Sequence, residues 1–181
     1  MESGLISDGV VAQDINQASS FWRIREGITE ALTKAGAVYK YDLSLPVEQL
    51  YNIVEEMRLQ LGGQSAKVMG YGHLGDGNLH LNISTPQYDD TVTASILSQI
   101  EPFVYEWTSK HRGSISAEHG LGLMKANEIY YSKSPQTFHI LRVDQVQLMA
   151  SIKRLLDPNE ILNPYKVLPH SLLSQNKEVV A

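Results

Sequence analysis

The chain has no cysteine among its 181 residues. That excludes disulfides, thiolate metal ligands and cysteine nucleophiles, and leaves histidine and carboxylate as the residues able to hold a metal. No apolar run reaches membrane-spanning length. No basic block exists either. Lys and Arg total 15 against 20 Asp and Glu, for a formal net charge of −5. A nucleic-acid partner is therefore not expected, whereas a local cationic pocket for an acidic ligand is compatible with this balance. The N-terminus, Met1-Glu2-Ser3-Gly4-Leu5, has neither a signal-peptide core nor an Arg-rich transit character. These residues alone suggest either a cytosolic protein or a longer precursor that begins upstream. The stretch from Leu5 to Ala12 reads as a strand-turn-strand remnant of such an upstream domain.

What is present is enough for one domain with a core. Phe21, Ile24, Ile28, Leu32 and Ala35 recur at helical spacing, which predicts one helix over 15–35 ended by Gly36. Trp22, Arg25 and Thr29 lie on its flank, where the ordinary fate of Arg25 is a surface ion pair with Glu26 or Glu30. Residues 38–43 alternate as a strand, with Lys40 and Asp42 on one face and Tyr39 and Tyr41 on the other. Pro46 opens a second helix, with Val47, Leu50, Tyr51, Val54, Met57 and Leu61 inward. Strands follow at 66–73 and 78–84. A third helix starts at Asp89-Asp90 and ends with Lys110 and His111 against its dipole. A short strand is expected at 114–116, a short helix at 123–131 and a long helix at about 136–156. That long helix would carry Phe138, Leu141, Leu148, Met149, Ile152, Leu155 and Leu156 inward. The tail beyond Pro169 is polar. This order predicts an α+β fold: an antiparallel sheet with helices packed on one face, in a ferredoxin-like split βαβ pattern, plus C-terminal helices. The other face of the sheet would then be free of helices.

The most informative stretch is Gly70-Tyr71-Gly72-His73-Leu74-Gly75-Asp76-Gly77-Asn78-Leu79-His80-Leu81-Asn82. Its Gly-Asp-Gly-Asn centre is a hairpin signal. With Asp76 and Gly77 as a two-residue loop, His73 faces His80 and Tyr71 faces Asn82. Opposed Cβ atoms then lie roughly 4.5–5.5 Å apart, close enough for two imidazoles to share a divalent metal. The bland alternative is a solvated polar hairpin. A second motif, Ser116-Ala117-Glu118-His119-Gly120, favours the metal. His73, His80 and Glu118 make a two-histidine, one-carboxylate set with open positions. His119 suits a general base, Asn82 can hydrogen-bond a substrate oxygen, and Arg25 and Lys40 suit carboxylates. For Glu118 and His119 to share a pocket, the backbone must turn near Gly120 and Gly122, and the site must lie on the sheet face. His139 and His170 read as ordinary helix and tail residues.

The motifs GYGHLGDGNLHLN (70–82), SISAEHGLG (114–122), WRIREGITEA (22–31), YKYDLSLP (39–46) and ILNPYK (161–166) together resemble the FAD-linked oxidase C-terminal family. Flavin-linked D-lactate dehydrogenases and glycolate oxidase subunits belong to it. The resemblance runs from about Gly9 to Leu168 and is closest to the D-2-hydroxyglutarate-oxidising branch. It implies that His73, His80 and Glu118 ligate zinc or manganese, that His119 is the base, and that Arg25, Thr29 and Lys40 hold substrate carboxylates with Asn82 assisting. It further implies FAD as hydride acceptor, a 2-hydroxy dicarboxylate substrate, electron-transfer flavoprotein as acceptor, a mitochondrial location, and compatibility with a homodimer. Residues 1–170 would form the substrate- and metal-binding domain, 171–181 a flexible tail, and the family's N-terminal FAD-binding domain is expected to be absent. The alternatives are a related D-lactate or glycolate dehydrogenase domain, a metal- or dicarboxylate-binding fragment without catalysis, and a metal-dependent hydrolase in which His119 activates water.

Overall fold

The strand Asn78–Thr85, here β3, is the centre of the molecule. Its Leu79, Leu81 and Ile83 point to one face, and Asn78, His80, Asn82 and Ser84 to the other. The computed structural model describes residues 8–62, 66–86, 90–133 and 145–174, with the backbone alone for 90–93. In chain order these form α1 (Ile15–Glu26), α2 (Ile28–Ala35), β1 (Ala37–Ser44), α3 (Asn52–Gln60), β2 (Lys67–His73), β3, α4 (Asp90–Lys110), α5 (Gln145–Leu156) and α6 (His170–Ser174). Short 3-10 segments lie at Val47–Gln49, Leu74–Asp76 and Ala126–Tyr131. Among the described residues, no helix is long and apolar enough to cross a membrane.

The three strands form an antiparallel sheet in the order β1-β3-β2, so the fold is α+β as the element order predicts. The expected fourth strand shrinks to one antiparallel bridge, Ser44 to Ser114, on the outer edge of β1. It leaves the ladder because the Asp42 side chain captures the backbone that follows. The core fills the apolar face: Tyr41, Leu43, Leu79, Leu81 and Ile83 from the sheet meet Ile53, Val54 and Met57 of α3 and Ile100 and Val104 of α4. A smaller cluster joins Ile129, Val146, Ala150, Leu168, Leu172 and Leu173.

Several helix expectations are corrected. Residues 15–35 are two helices, not one, because the chain breaks at Gly27, a residue of low helix propensity. Asp14 caps α1 by accepting a hydrogen bond from the Gln17 N–H at 2.8 Å. The apolar residues at helical spacing do not form a buried stripe over α1. Phe21 and Ile24 are exposed, and α1 buries no side chain. Nor is the second sheet face helix-free: Thr29 of α2 bonds Tyr71 on that face. In α5 the buried residues are Val146 and Ala150, while Leu148, Ile152, Leu155 and Leu156 are exposed. Phe138, Leu141 and His139 lie outside the described residues. Helix α6 buries Leu172 and Leu173, so ordered packing continues past residue 170.

Candidate metal and substrate site

The hairpin closes differently from the two-residue turn. A 3-10 turn at Leu74–Asp76 followed by left-handed Gly77 (φ 72°) makes a longer loop. A side chain at Gly77 would also strike the Leu45 carbonyl. The Asp76 carboxylate accepts the Asn78 N–H at 3.1 Å. The register therefore shifts: His73 faces Asn78, and Tyr71, not His73, faces His80. The shift is two residues, so every side chain keeps its face. Tyr71, His73, His80 and Asn82 still share one side, with His73 now diagonal to His80 and the ring centroids 5.4 Å apart.

On β1, Lys40 pairs with Asn82 and Asp42 with His80. Asp42 organises the second motif. Its Oδ2 accepts the N–H groups of Glu118 (2.8 Å) and His119 (2.9 Å), while its backbone carbonyl accepts that of Ala117 (3.2 Å). Gly120 and Gly122 then take positive φ, the turn that the adjacent Glu118 and His119 require. As a result Glu118 Oε1 becomes a hub, with Nε2 of His80 and of His119 each at 3.5 Å and Nε2 of His73 at 4.0 Å. One ligand atom each from Asp42, His80, Glu118 and His119 lie within 4.8 Å of one another. Imidazole nitrogens and carboxylate oxygens without thiolate suit a divalent cation. Because Oδ2 of Asp42 is committed to two amides, and its Oδ1 lies 3.6 Å from Nδ1 of His80, Asp42 is placed to orient His80 from behind.

All eight residues singled out from the sequence line one cavity of about 350 Å³: Arg25, Thr29, Lys40, His73, His80, Asn82, Glu118 and His119. Arg25 does not take its surface role. Glu30 pairs with Lys34 at 2.6 Å, and the Arg25 guanidinium donates to the Gly72 carbonyl (3.3 Å) over the Tyr71 ring. Asn82 is 2% exposed; its amide donates to the His80 carbonyl, and its Oδ1 has no partner. His119 stands at the mouth with its side chain 65% exposed, against 16% for His80. The sequence reading left out Asp42, Tyr71 and Lys125. The alternation of Lys40 with Asp42 and of Tyr71 with His73 held the signal for the first two. Lys125, six residues beyond His119, reaches the cavity only through the loop's path, and no spacing rule points to it.

Burial of His80 lowers its pKa, offset in part by the carboxylates of Asp42 and Glu118. Burial pushes the Asp42 carboxyl up, but the His119 and Glu118 N–H groups outweigh it, and the net shift is downward. Burial also lowers the Lys125 pKa against the pull of Asp42 and Glu101. At neutral pH the centre thus combines a neutral His80 with an ionised Asp42, the states that ligation by His80 requires.

The family model described as FAD linked oxidases, C-terminal domain, matches residues 1–167. Among relatives, the chain is 74% identical over 174 residues to the mitochondrial D-2-hydroxyglutarate dehydrogenase of Arabidopsis thaliana, covering 96% of this chain and 29% of the relative. It is 54% identical to the protein of that name from Danio rerio, covering 95% and 30%. It is 48% identical to a putative mitochondrial D-lactate dehydrogenase of Schizosaccharomyces pombe, covering 92% and 31%. The chain spans less than a third of the length of these relatives. With a match over nearly its whole length, the chain belongs to the FAD-linked oxidase C-terminal domain family.

Proposed function

We propose that this chain is the substrate- and metal-binding part of a mitochondrial FAD-dependent D-2-hydroxyglutarate dehydrogenase. In this reading residues 1–170 act as one functional domain. The observation that carries it is the convergence of three imidazoles on Glu118 in the cavity that also holds Arg25 and Lys40. The names of the relatives supply the substrate. His73, His80 and Glu118 hold the divalent ion, zinc or manganese. The Asp42 carboxylate, with Oδ1 3.6 Å from Nδ1 of His80, favours the ring orientation in which Nε2 faces the ion. When bound, FAD supplies a hydride acceptor, and the divalent ion lowers the pKa of the substrate hydroxyl.

The chain's own residues do the rest. Arg25, Thr29 and Lys40 bind the substrate carboxylates, with Asn82 assisting from the floor of the cavity. His119, at the open mouth, takes the hydroxyl proton at Nε2 as the Cα–H leaves with its electron pair. The hydroxy acid thereby loses one proton and one hydride and becomes the 2-keto acid. Electron-transfer flavoprotein as the acceptor and a homodimeric assembly belong to the same proposal and rest on the resemblance. The test is equilibrium zinc binding to the purified chain followed by titration with D-2-hydroxyglutarate. One zinc should bind, His80→Ala and Glu118→Gln should abolish it, and the dicarboxylate should bind the zinc-loaded chain more tightly than D-lactate does. Zinc binding indifferent to both substitutions would overturn the metal assignment, and equal affinity for both acids the substrate.

A further inference from the structure

Helix α1 exposes Ile15, Trp22 and Ile24 and buries no side chain. Hydrophobic packing therefore does not fix Arg25 in place, and its position over the sheet needs another cause. Three contacts supply it. The Arg25 guanidinium carbon lies 5.1 Å from the centre of the Tyr71 ring, Nη2 of Arg25 donates to the Gly72 carbonyl at 3.3 Å, and the Thr29 hydroxyl meets the Tyr71 hydroxyl at 2.6 Å. Two of the three end on Tyr71. The same ring faces His80 across the β2–β3 ladder, with ring centroids 5.4 Å apart. One side chain thus joins the strand bearing a histidine of the metal cluster to the helices bearing the carboxylate-binding groups.

We propose that Tyr71 is a positioning residue that sets substrate length: its ring and hydroxyl hold Arg25 and Thr29 at a fixed separation from His80, so that an acid with a second, distal carboxylate is preferred. This rests on the reading of the cavity as a 2-hydroxy dicarboxylate site. An aromatic ring suits the task because it is rigid and has few torsions to order. The phenol also carries one polar atom at its far end, where Thr29 meets it. The histidine cluster and the pair Arg25 and Thr29 line the same cavity, and a 2-hydroxy dicarboxylate has a group for each, whereas a monoacid has no second carboxylate for the pair. The hairpin then defines the near end of the substrate, and α1–α2 the far end.

The experiment measures the affinity of the zinc-loaded full chain for D-2-hydroxyglutarate and for D-lactate, in wild type, Tyr71→Phe, Tyr71→Leu and Thr29→Val. Tyr71→Phe keeps the ring under Arg25 and deletes the bond to Thr29. The dicarboxylate-to-monocarboxylate affinity ratio should fall roughly three- to tenfold, the worth of one hydrogen bond. Tyr71→Leu should lower it further, since the guanidinium contact goes too. Thr29→Val should lower it at least as far as Tyr71→Phe, since Thr29 also meets the carboxylate, and adding Tyr71→Phe to Thr29→Val should lower it little further, because the bond between them is already gone. A merely structural Tyr71 would weaken both acids together and leave the ratio unmoved, which would overturn the inference. A wild-type chain that binds the two acids equally would instead overturn the substrate reading, and the inference with it.

Discussion

On one face of the central sheet Leu79, Leu81 and Ile83 meet the aliphatic side chains of α3 and α4; on the other, Asn78, Asn82 and Ser84 of the same strand are buried just as deeply among polar groups. The first face removes apolar surface from water and supplies stability. The second buries groups that cost free energy unless they are paired, and Oδ1 of Asp42, Asn78 and Asn82 all lack hydrogen-bond partners. A strand that carries both faces shows how the fold sustains its site: the hydrophobic side offsets what the chemical side costs.

The largest effect that would break this comparison is on the apolar face. Leu81→Ala should cost about 2–5 kcal/mol of unfolding free energy, since Leu81 is fully buried. Urea denaturation measures it. The zinc affinity of the molecules that remain folded should be nearly unchanged, and a parallel loss of affinity would show that the two faces are not separable. Next comes Asp42→Asn on the polar face. It should lower zinc affinity about 10–100-fold, the usual cost of losing a partner behind a ligand. Competition with a chromogenic chelator reads this out, and wild-type affinity in the variant would remove Asp42 from its orienting role.

The smallest effect is a pH dependence of the metal-free chain. His80 has its pKa lowered in the folded state, chiefly by burial, so the unfolded chain binds the proton more readily. Its contribution to stability is therefore complete above the unfolded histidine value of about 6.5 and declines as pH falls below it. Asp42, also lowered, adds a loss of the same sign below its ordinary carboxylate range of about 3.9. Thermal unfolding from pH 7.5 to 5 should show the His80 part in wild type and a flatter profile in His80→Phe. The same slope in both proteins would place the titrating group elsewhere.

Much of the site was legible in the chain because alternation is local. A strand period of two assigns Tyr71, His73, His80 and Asn82 to one side whatever the turn, and a register error of two residues leaves that assignment intact. Glycine and Asp-Gly signals placed the hairpin, although the extra 3-10 residues escaped them because loop length depends on how Gly77 seats against Leu45. Helix existence was also readable. Helix burial was not: the apolar residues of α1 and the outer stripe of α5 look like core by spacing, yet they face outward. Amphipathic period tells which residues share a face, not whether another element covers that face.

By itself, then, the amino-acid sequence determined the three strands of the sheet, the alternation of chemical with apolar positions along β3, and the residue types able to hold a metal without cysteine. Only the tertiary structure decided that Glu118 and His119 meet His80. That meeting depends on Asp42, 76 residues upstream of Glu118, whose carboxylate takes both of their backbone amides and pulls the chain off the sheet edge. Likewise, the break at Gly27 and the contacts to Tyr71 and Gly72 bring Arg25 over the hairpin, which no periodicity in α1 encodes. The physical reason is the same in both cases. Propensity and pattern act over a few neighbouring residues, whereas a buried carboxylate or a phenol ring takes its partners from whatever the folded chain brings within hydrogen-bonding distance.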